Sequence, residues 1–275
     1  MERLDVFTRN GEYLGIKTKE ECHAQNPGFY HKPAWTWAYN SKGEILVQKR
    51  AMQKKHFPGL WDMPCAGHVV AGESTKIGAI REAKEEIGID VSEDEMQFMF
   101  EYIQEDAWEI GQVFFFKLDK EIEEMTLQEE EVEEVKWLNF EDFKELLYSD
   151  KWVPMDKEYK DLVVKKFLKI LNYIKREELF MERKFEKGDI VQHFKREKMT
   201  EEQLKEEPNL YLYEIIGTAR HTENKEEVMI YKPLYKADCT NGVAFAARPL
   251  DMFMSEVDHE KYPEVIQKYR FELKK

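Results

Sequence analysis

Residues 67–89, GHVVAGESTKIGAIREAKEEIGI, constrain this chain more than any other stretch of it. Gly67 and Gly72 are placed to bracket a tight turn, and Glu73 to meet Arg81. Gly88 is placed to stop a helix in a left-handed cap, a conformation glycine adopts without steric cost. On that helix Glu82, Glu85 and Glu86 lie three and four apart and share one face. Like charges at this spacing destabilise an isolated helix. Three together make chemical sense around a hard divalent cation, because Mg²⁺ and Mn²⁺ prefer oxygen ligands. A solvated acidic surface is the plain alternative, and the glycine frame around the carboxylates weighs against it.

The full spacing is Gly67, five residues, Glu73, seven residues, then REAKEEIGI from Arg81. It resembles the signature of the Nudix hydrolases, with every fixed position present. The resemblance implies an α/β/α sandwich with a mixed sheet. It also implies metal-dependent attack of water on a diphosphate linkage, in a nucleoside diphosphate joined to another group or in a related small diphosphate. Glu82, Glu85 and Glu86 are thereby implied as ligands of Mg²⁺ or Mn²⁺, with the Gly67 carbonyl helping. Arg81 would pair with Glu73 and hold the helix in register, completing the catalytic set. The metal is needed because phosphate oxygens repel an incoming water and the leaving group is anionic. In this family the general base often comes from a loop outside the signature, and the acidic run 129–134 is the local source, with Glu130, Glu131 and Glu133 as candidates.

A second resemblance lies upstream, where VQKRAMQKKHFPGLWDMPCAGHVVAGES is similar to the corresponding stretch of type I isopentenyl diphosphate isomerase, a Nudix relative that hydrolyses nothing. It implies that Arg50 and Lys54 grip the substrate diphosphate, as guanidinium and ammonium groups do. It matches His23, His31 and His68 to metal-binding histidines, and His68 would also face substrate. Two departures stand against isomerisation. The essential cysteine of the isomerase falls at Ala66, with Cys65 one position off, and of two later glutamates one matches Glu109 while the other falls at Gly111. Proton transfer at carbon needs the lost groups, and hydrolysis needs the retained ones. Trp35, Trp37, Phe57, Trp61 and Trp108 could stack on a base or cover an apolar chain, although most are expected in the core.

Organisation follows from patterning. Residues 1–20 read as a hairpin around NGEYLG, 34–40 and 44–50 as strands joined by SKG, and 96–104, 112–118 and 131–138 as further strands, with a helix over 140–148. Leu162, Val163, Phe167, Leu171 and Ile174 recur at helical spacing, and ERKFEKGD at 182–189 reads as a charged linker. From residue 188 the chain is β-rich: DIVQHF, LYLYEIIGTA, EEVMIYKPLY and GVAFAARPLDMF suggest a small, SH3-like barrel. Its HFK, IGTARH, YKPLY and RPLDMF runs resemble an uncharacterised bacterial domain family without known chemistry; His193, His221 and Arg248 are its candidate ligand residues. The expected division is a Nudix domain over 1–155, a helical connector over 156–186 and a β-rich domain over 187–275.

Residues 1–155 carry 18 Lys and Arg against 32 Asp and Glu, a net of −14 equal to that of the whole chain. An acidic catalytic half argues against a nucleic-acid polymer as partner, whereas metal ions let a polyphosphate approach it. No run reaches the ~20 apolar residues of a membrane span. The three cysteines, Cys22, Cys65 and Cys239, are odd in number and widely spaced, as in a reducing cytoplasm. The partners expected are a small-molecule diphosphate and, in a homodimer, a second copy. Isopentenyl diphosphate isomerisation, with Cys65 as a displaced acid-base, and a non-catalytic nucleotide sensor are the alternatives to hydrolysis.

Overall fold

A computed structural model describes residues 2–236 and 244–274. Cys239 and the first part of the expected strand in 242–253 lie outside the described residues. The chain divides into two compact units, Met1–Ile174 and Lys175–Lys275.

The first unit is built on one large mixed sheet. Its main path runs β10 (Val132–Leu138), β5 (Ile45–Arg50), β4 (Pro33–Tyr39), β9 (Glu109–Lys117), β3 (Tyr30–His31), β1 (Arg3–Phe7) and β2 (Tyr13–Thr18). Three strands pair off this path: β6 (Trp61–Asp62) on β5, β7 (Cys65–His68) on β4 and β8 (Gln97–Gln104) on β9. β9 runs parallel to β4 and β3, and the other pairs are antiparallel. The central strand β4, PAWTWAY, is buried along almost its whole length, as a strand covered on both faces must be.

Helices cover both faces. α2 (Thr75–Ile87) lays Ala79, Ala83 and Ile87 against Leu46, Phe114 and Phe116. On the other side, Phe143 and Leu147 of α3 (Phe140–Leu147) join Tyr159, Val163 and Phe167 of α4 (Lys157–Glu182) over Trp37, Val47 and Val113. The capping is local chemistry. Ser74 Oγ accepts from the Ile77 amide, and Asn139 accepts from two amides at the start of α3. Gly88 ends α2 at φ 73°, in the left-handed region expected of it. A short helix absent from the expectations, α1 (Lys19–Cys22), is closed by a reciprocal Thr18–Glu21 capping box and leads into His23.

The second unit holds an open five-stranded sheet in the order β14 (Ala246–Pro249), β13 (Glu227–Pro233), β12 (Leu212–Arg220), β11 (Ile190–His193) and β15 (Phe271–Leu273), with α5 (Glu201–Glu206) and α6 (Leu250–Met254). Closure into a barrel is not among the described pairings. RPLDMF does not continue as a strand: α6 begins at Leu250, and Phe253 packs face to face on Phe271 at 4.2 Å between ring centroids. The ERKFEKGD segment is not free chain. α4 runs to Glu182, Arg183 donates to the Met254 and Phe271 carbonyls, and Phe185 packs edge-on against Phe253. Its apolar Phe185 and its arginine found partners that a charge count does not reveal.

The 67–89 segment, expected to be catalytic, lies wholly within the first unit. A fragment ending near residue 183 is therefore expected to keep the activity of the full chain. A soluble, folded but inactive fragment would show that the second unit contributes to the site.

Candidate active site

An open cavity of about 990 Å³ in the first unit brings together residues from six separate segments. Glu82, Glu85 and Glu86 of α2 line it together with Ala66, Gly67 and His68 of β7, Arg50 at the end of β5, Lys54, Lys55 and His56 of the loop after it, and Glu130 and Glu131. Lys19 and His23 come from α1 and the residue after it.

Arg81 organises the carboxylates. Its Nε and Nη2 donate to Glu73 at 3.3 and 3.2 Å, Nη1 donates to Glu82 at 2.6 Å and to Glu85 at 3.0 Å, and Nη2 also reaches the His68 carbonyl at 2.8 Å. The expected Glu73–Arg81 pair is thus present, and it ties the helix to β7. Glu85 is exposed and Glu82 and Glu86 are buried. Burial raises the Glu82 carboxyl, against the opposing pull of Arg81. Burial raises Glu86 much further, and the Glu82 charge adds to it. The partner of Glu86 is neutral, the Gln48 amide at 3.1 Å. A pair of buried carboxylates of which only Glu82 meets a guanidinium is electrostatically incomplete, and a divalent cation completes it.

Gly67 meets a constraint beyond the turn that it borders. It sits within β7 and its backbone lies outside the left-handed region; a Cβ there would come within 2.0 Å of the Glu82 carboxyl carbon. The glycine is required by close approach of a side chain, and the turn belongs to Gly72, at φ 83°.

The remaining expected residues divide. Arg50 and Lys54 both line the cavity, each already held: Arg50 by Asp62 at 2.9 Å and the His56 carbonyl at 3.2 Å, Lys54 by Glu131. Glu130 also lines it and carries no hydrogen bond or ion pair among the described residues. Glu133 is not among the lining residues. It is the extra residue where the β10–β5 register shifts between Val132 and Glu134, and its carboxylate meets Lys49 at 2.9 Å.

His23, His31 and His68 converge with Glu109, their ligand atoms all within 4.8 Å of one another. His23 and His68 bring their Nε2 atoms to 2.7 Å, and His31 Nε2 lies 3.4 Å from Glu109. Both ring nitrogens of His31 are buried without a hydrogen-bond partner. Burial pushes the His68 imidazole down to about 2, with the Lys19 charge helping, so the ring stays neutral and able to donate a lone pair. Three imidazoles and a carboxylate are a fitting donor set for a divalent transition metal, as the glutamates are for Mg²⁺ or Mn²⁺.

The two departures from the isomerase acquire physical form. Cys65 is fully buried among Ala34, Leu46 and Ala83, where burial raises its thiol well above the ordinary range; the pleat turns the neighbouring Ala66 to the cavity instead. A Cβ on Gly111 would meet the Trp35 ring at 2.3 Å, so a glutamate there has no room. Cys65→Ala is accordingly expected to leave turnover within about twofold and to lower stability by roughly 1 kcal/mol, the cost of a small core deletion. An abolished activity in a folded Cys65→Ala protein would restore the thiol to the chemistry. Of the aromatic residues, Trp35 and Trp37 belong to the core, Trp61 packs against it, Phe57 is exposed, and none lines the cavity. Sequence reading missed Gln48 and Asp62, although a glutamine interrupting the apolar run ILV was a visible signal.

Comparison with known proteins bears on the family of the chain. A model of the NUDIX domain matches residues 30–161, and a model described as a protein of unknown function (DUF1653) matches residues 189–273. The chain is similar to an uncharacterized Nudix hydrolase of Listeria innocua, 34% identical over 158 residues that span 56% of this chain and 89% of that one. Similarity to Nudix hydrolase 3 of Arabidopsis thaliana is 32% over 169 residues, 56% of this chain and only 22% of that longer protein. Similarity to the isopentenyl-diphosphate Delta-isomerase of Streptomyces coelicolor is 35% over 89 residues, 32% of this chain and 45% of that enzyme.

Proposed function

Because the chain belongs to the Nudix hydrolase family, we propose that it is a divalent-metal-dependent pyrophosphohydrolase acting on a nucleoside diphosphate joined to another group, or on a related small diphosphate. The observation that carries this reading is the pair of buried carboxylates, Glu82 and Glu86, on a helix whose companion glycine leaves room for one of them. Glu82, Glu85 and Glu86, with the Gly67 carbonyl, would hold Mg²⁺ or Mn²⁺, and the three histidines with Glu109 would hold a second divalent ion. Bound there, such ions neutralise phosphate charge and lower the pKa of water.

The protein's own groups supply the rest. Arg50 and Lys54, with Lys55 and His56 nearby, offer cations to the diphosphate oxygens opposite the glutamates. Arg81 holds the carboxylate wall in place. Glu130, on the cavity edge and unpaired among the described residues, is the best placed general base, since Glu131 is committed to Lys54. The lining is charged or polar except for Ala66 and Gly67, which favours a polar diphosphate over a prenyl one. The buried Cys65 and the space filled by Trp35 weigh against isomerisation. Among the described residues, no helix is long and apolar enough to cross a membrane. We also propose a cytoplasmic setting, in keeping with two buried free thiols, Cys22 and Cys65.

The test is a screen of nucleotide sugars, dinucleoside polyphosphates, coenzymes and prenyl diphosphates with and without Mg²⁺, read by mass spectrometry. Release of a phosphate-bearing fragment only with metal is the expected result. Full activity in excess chelator would sink the metal-dependent reading, and conversion with conserved mass would favour the isomerase.

A further inference from the structure

β5 and β6 pair antiparallel with Gln48 directly opposite Asp62. Both side chains are almost wholly buried, at 3% and 5% exposure, and neither lines the cavity. Each nevertheless grips a residue that does. Gln48 Nε2 donates to Glu86 Oε2, and Asp62 Oδ2 accepts from Arg50 Nη1. Asp62 Oδ1 is taken by the Met63 amide at 2.8 Å, so the carboxylate cannot turn.

Two features argue that these groups serve more than the fold. A buried ion pair in register with a buried amide is no more stabilising than well-packed apolar residues of the same size. Gln48 also leaves its own Oε1 buried without a hydrogen-bond partner, a cost the core would not bear for packing alone. What the arrangement does achieve is orientation. With Oε2 of Glu86 occupied, Oε1 is the oxygen left for the cavity. With Nη1 of Arg50 held by Asp62 and Nε held by the His56 carbonyl, Nη2 is the nitrogen left for a ligand.

We propose that Gln48 and Asp62 are a cross-strand pair of positioning residues, Gln48 aiming the metal-binding carboxylate of Glu86 and Asp62 aiming the phosphate-binding guanidinium of Arg50. The inference rests on the roles proposed above for those two partners. Because the pair shares one register position, it also fixes the spacing between the metal wall and the cationic wall of the site.

The test separates the two arms by binding, with the full-length protein and two probes. One probe is Mg²⁺ alone, chosen because imidazole clusters take it poorly and read from the rise in melting temperature with concentration. The other is methylenediphosphonate at saturating Mg²⁺, read by calorimetry. Gln48→Leu is expected to raise the Mg²⁺ midpoint on the order of 10-fold and to leave diphosphonate affinity within about twofold. Asp62→Asn is expected to do the reverse, weakening diphosphonate on the order of 10-fold with the Mg²⁺ midpoint within about twofold. Gln48→Met and Asp62→Ser serve where a first variant does not fold. Equal loss of both affinities in either variant would mean a merely structural role and would overturn the proposal, as would no loss in a folded variant. Glu86→Gln and Arg50→Ala, measured beside them, distinguish the two failures. If these controls lose nothing, the assigned roles fall and the inference with them; if they lose affinity and the pair does not, the inference alone falls.

Discussion

Glu85→Gln and Glu86→Gln are each expected to cut turnover by on the order of 10²-fold or more, because an amide keeps the shape of the side chain and removes the charge that binds metal. At Glu86 a second result should accompany the first. Its carboxyl is raised well above 4.5 by burial and by the Glu82 charge. The folded protein therefore keeps a proton that the unfolded chain has released, and metal-free stability must fall as pH rises from 4.5 toward the folded value. Glutamine carries no such proton. The metal-free variant should melt higher than the parent at neutral pH, by a few degrees if about 1 kcal/mol of carboxylate burial is relieved. It should also lose most of the stabilisation that Mg²⁺ gives the parent. His68 works in the opposite sense on the acid side: its ring is pushed down to about 2, so stability is lost as pH falls below 6.5, where the unfolded imidazole takes a proton and the folded one does not. Melting curves between about pH 5 and pH 8, with and without Mg²⁺, read both effects. Wild-type turnover in either glutamine variant would refute the catalytic helix.

Gly67→Ala is expected to be nearly as damaging to activity while sparing the fold. Its Cβ would stand 2.0, 2.1 and 2.3 Å from the three carboxyl atoms of Glu82. The atoms in the way are the far end of a flexible side chain, so Glu82 can swing aside and the strand need not move. The cost then falls on geometry: a ligand displaced by an ångström or more costs on the order of 10²-fold in rate. Gly72→Ala is the instructive control. It meets nothing within 4 Å but sits at φ 83°, so it should strain the backbone by about 1 kcal/mol and leave turnover largely intact. Steady-state rates and melting temperatures of the two variants, side by side, decide the matter. Equal turnover for Gly67→Ala and the parent would remove Glu82 from the chemistry.

Much of α2 and of the turn that leads into it is legible in the order of its residues. The Glu73–Arg81 pair, the shared face of Glu82, Glu85 and Glu86 and the left-handed stop at Gly88 all depend on residues within about two helical turns of one another, and spacing encodes such contacts directly. The hairpin of β1 and β2 and the β4–β5 connection are readable for the same reason, since alternation and turn chemistry are local. Tertiary structure decided what depends on register and burial. It set Gly67 in a strand that must admit a carboxylate. It turned Glu133 to Lys49 at a bulge and left Glu130 and Glu131 on the cavity. It gathered His23, His31, His68 and Glu109 from four segments, and set Gln48 opposite Asp62. A one-residue slip would send every one of those strand side chains to the other face. Which register wins is settled by how the whole sheet buries its apolar surface between two layers of helices, a sum over distant residues that no local pattern contains.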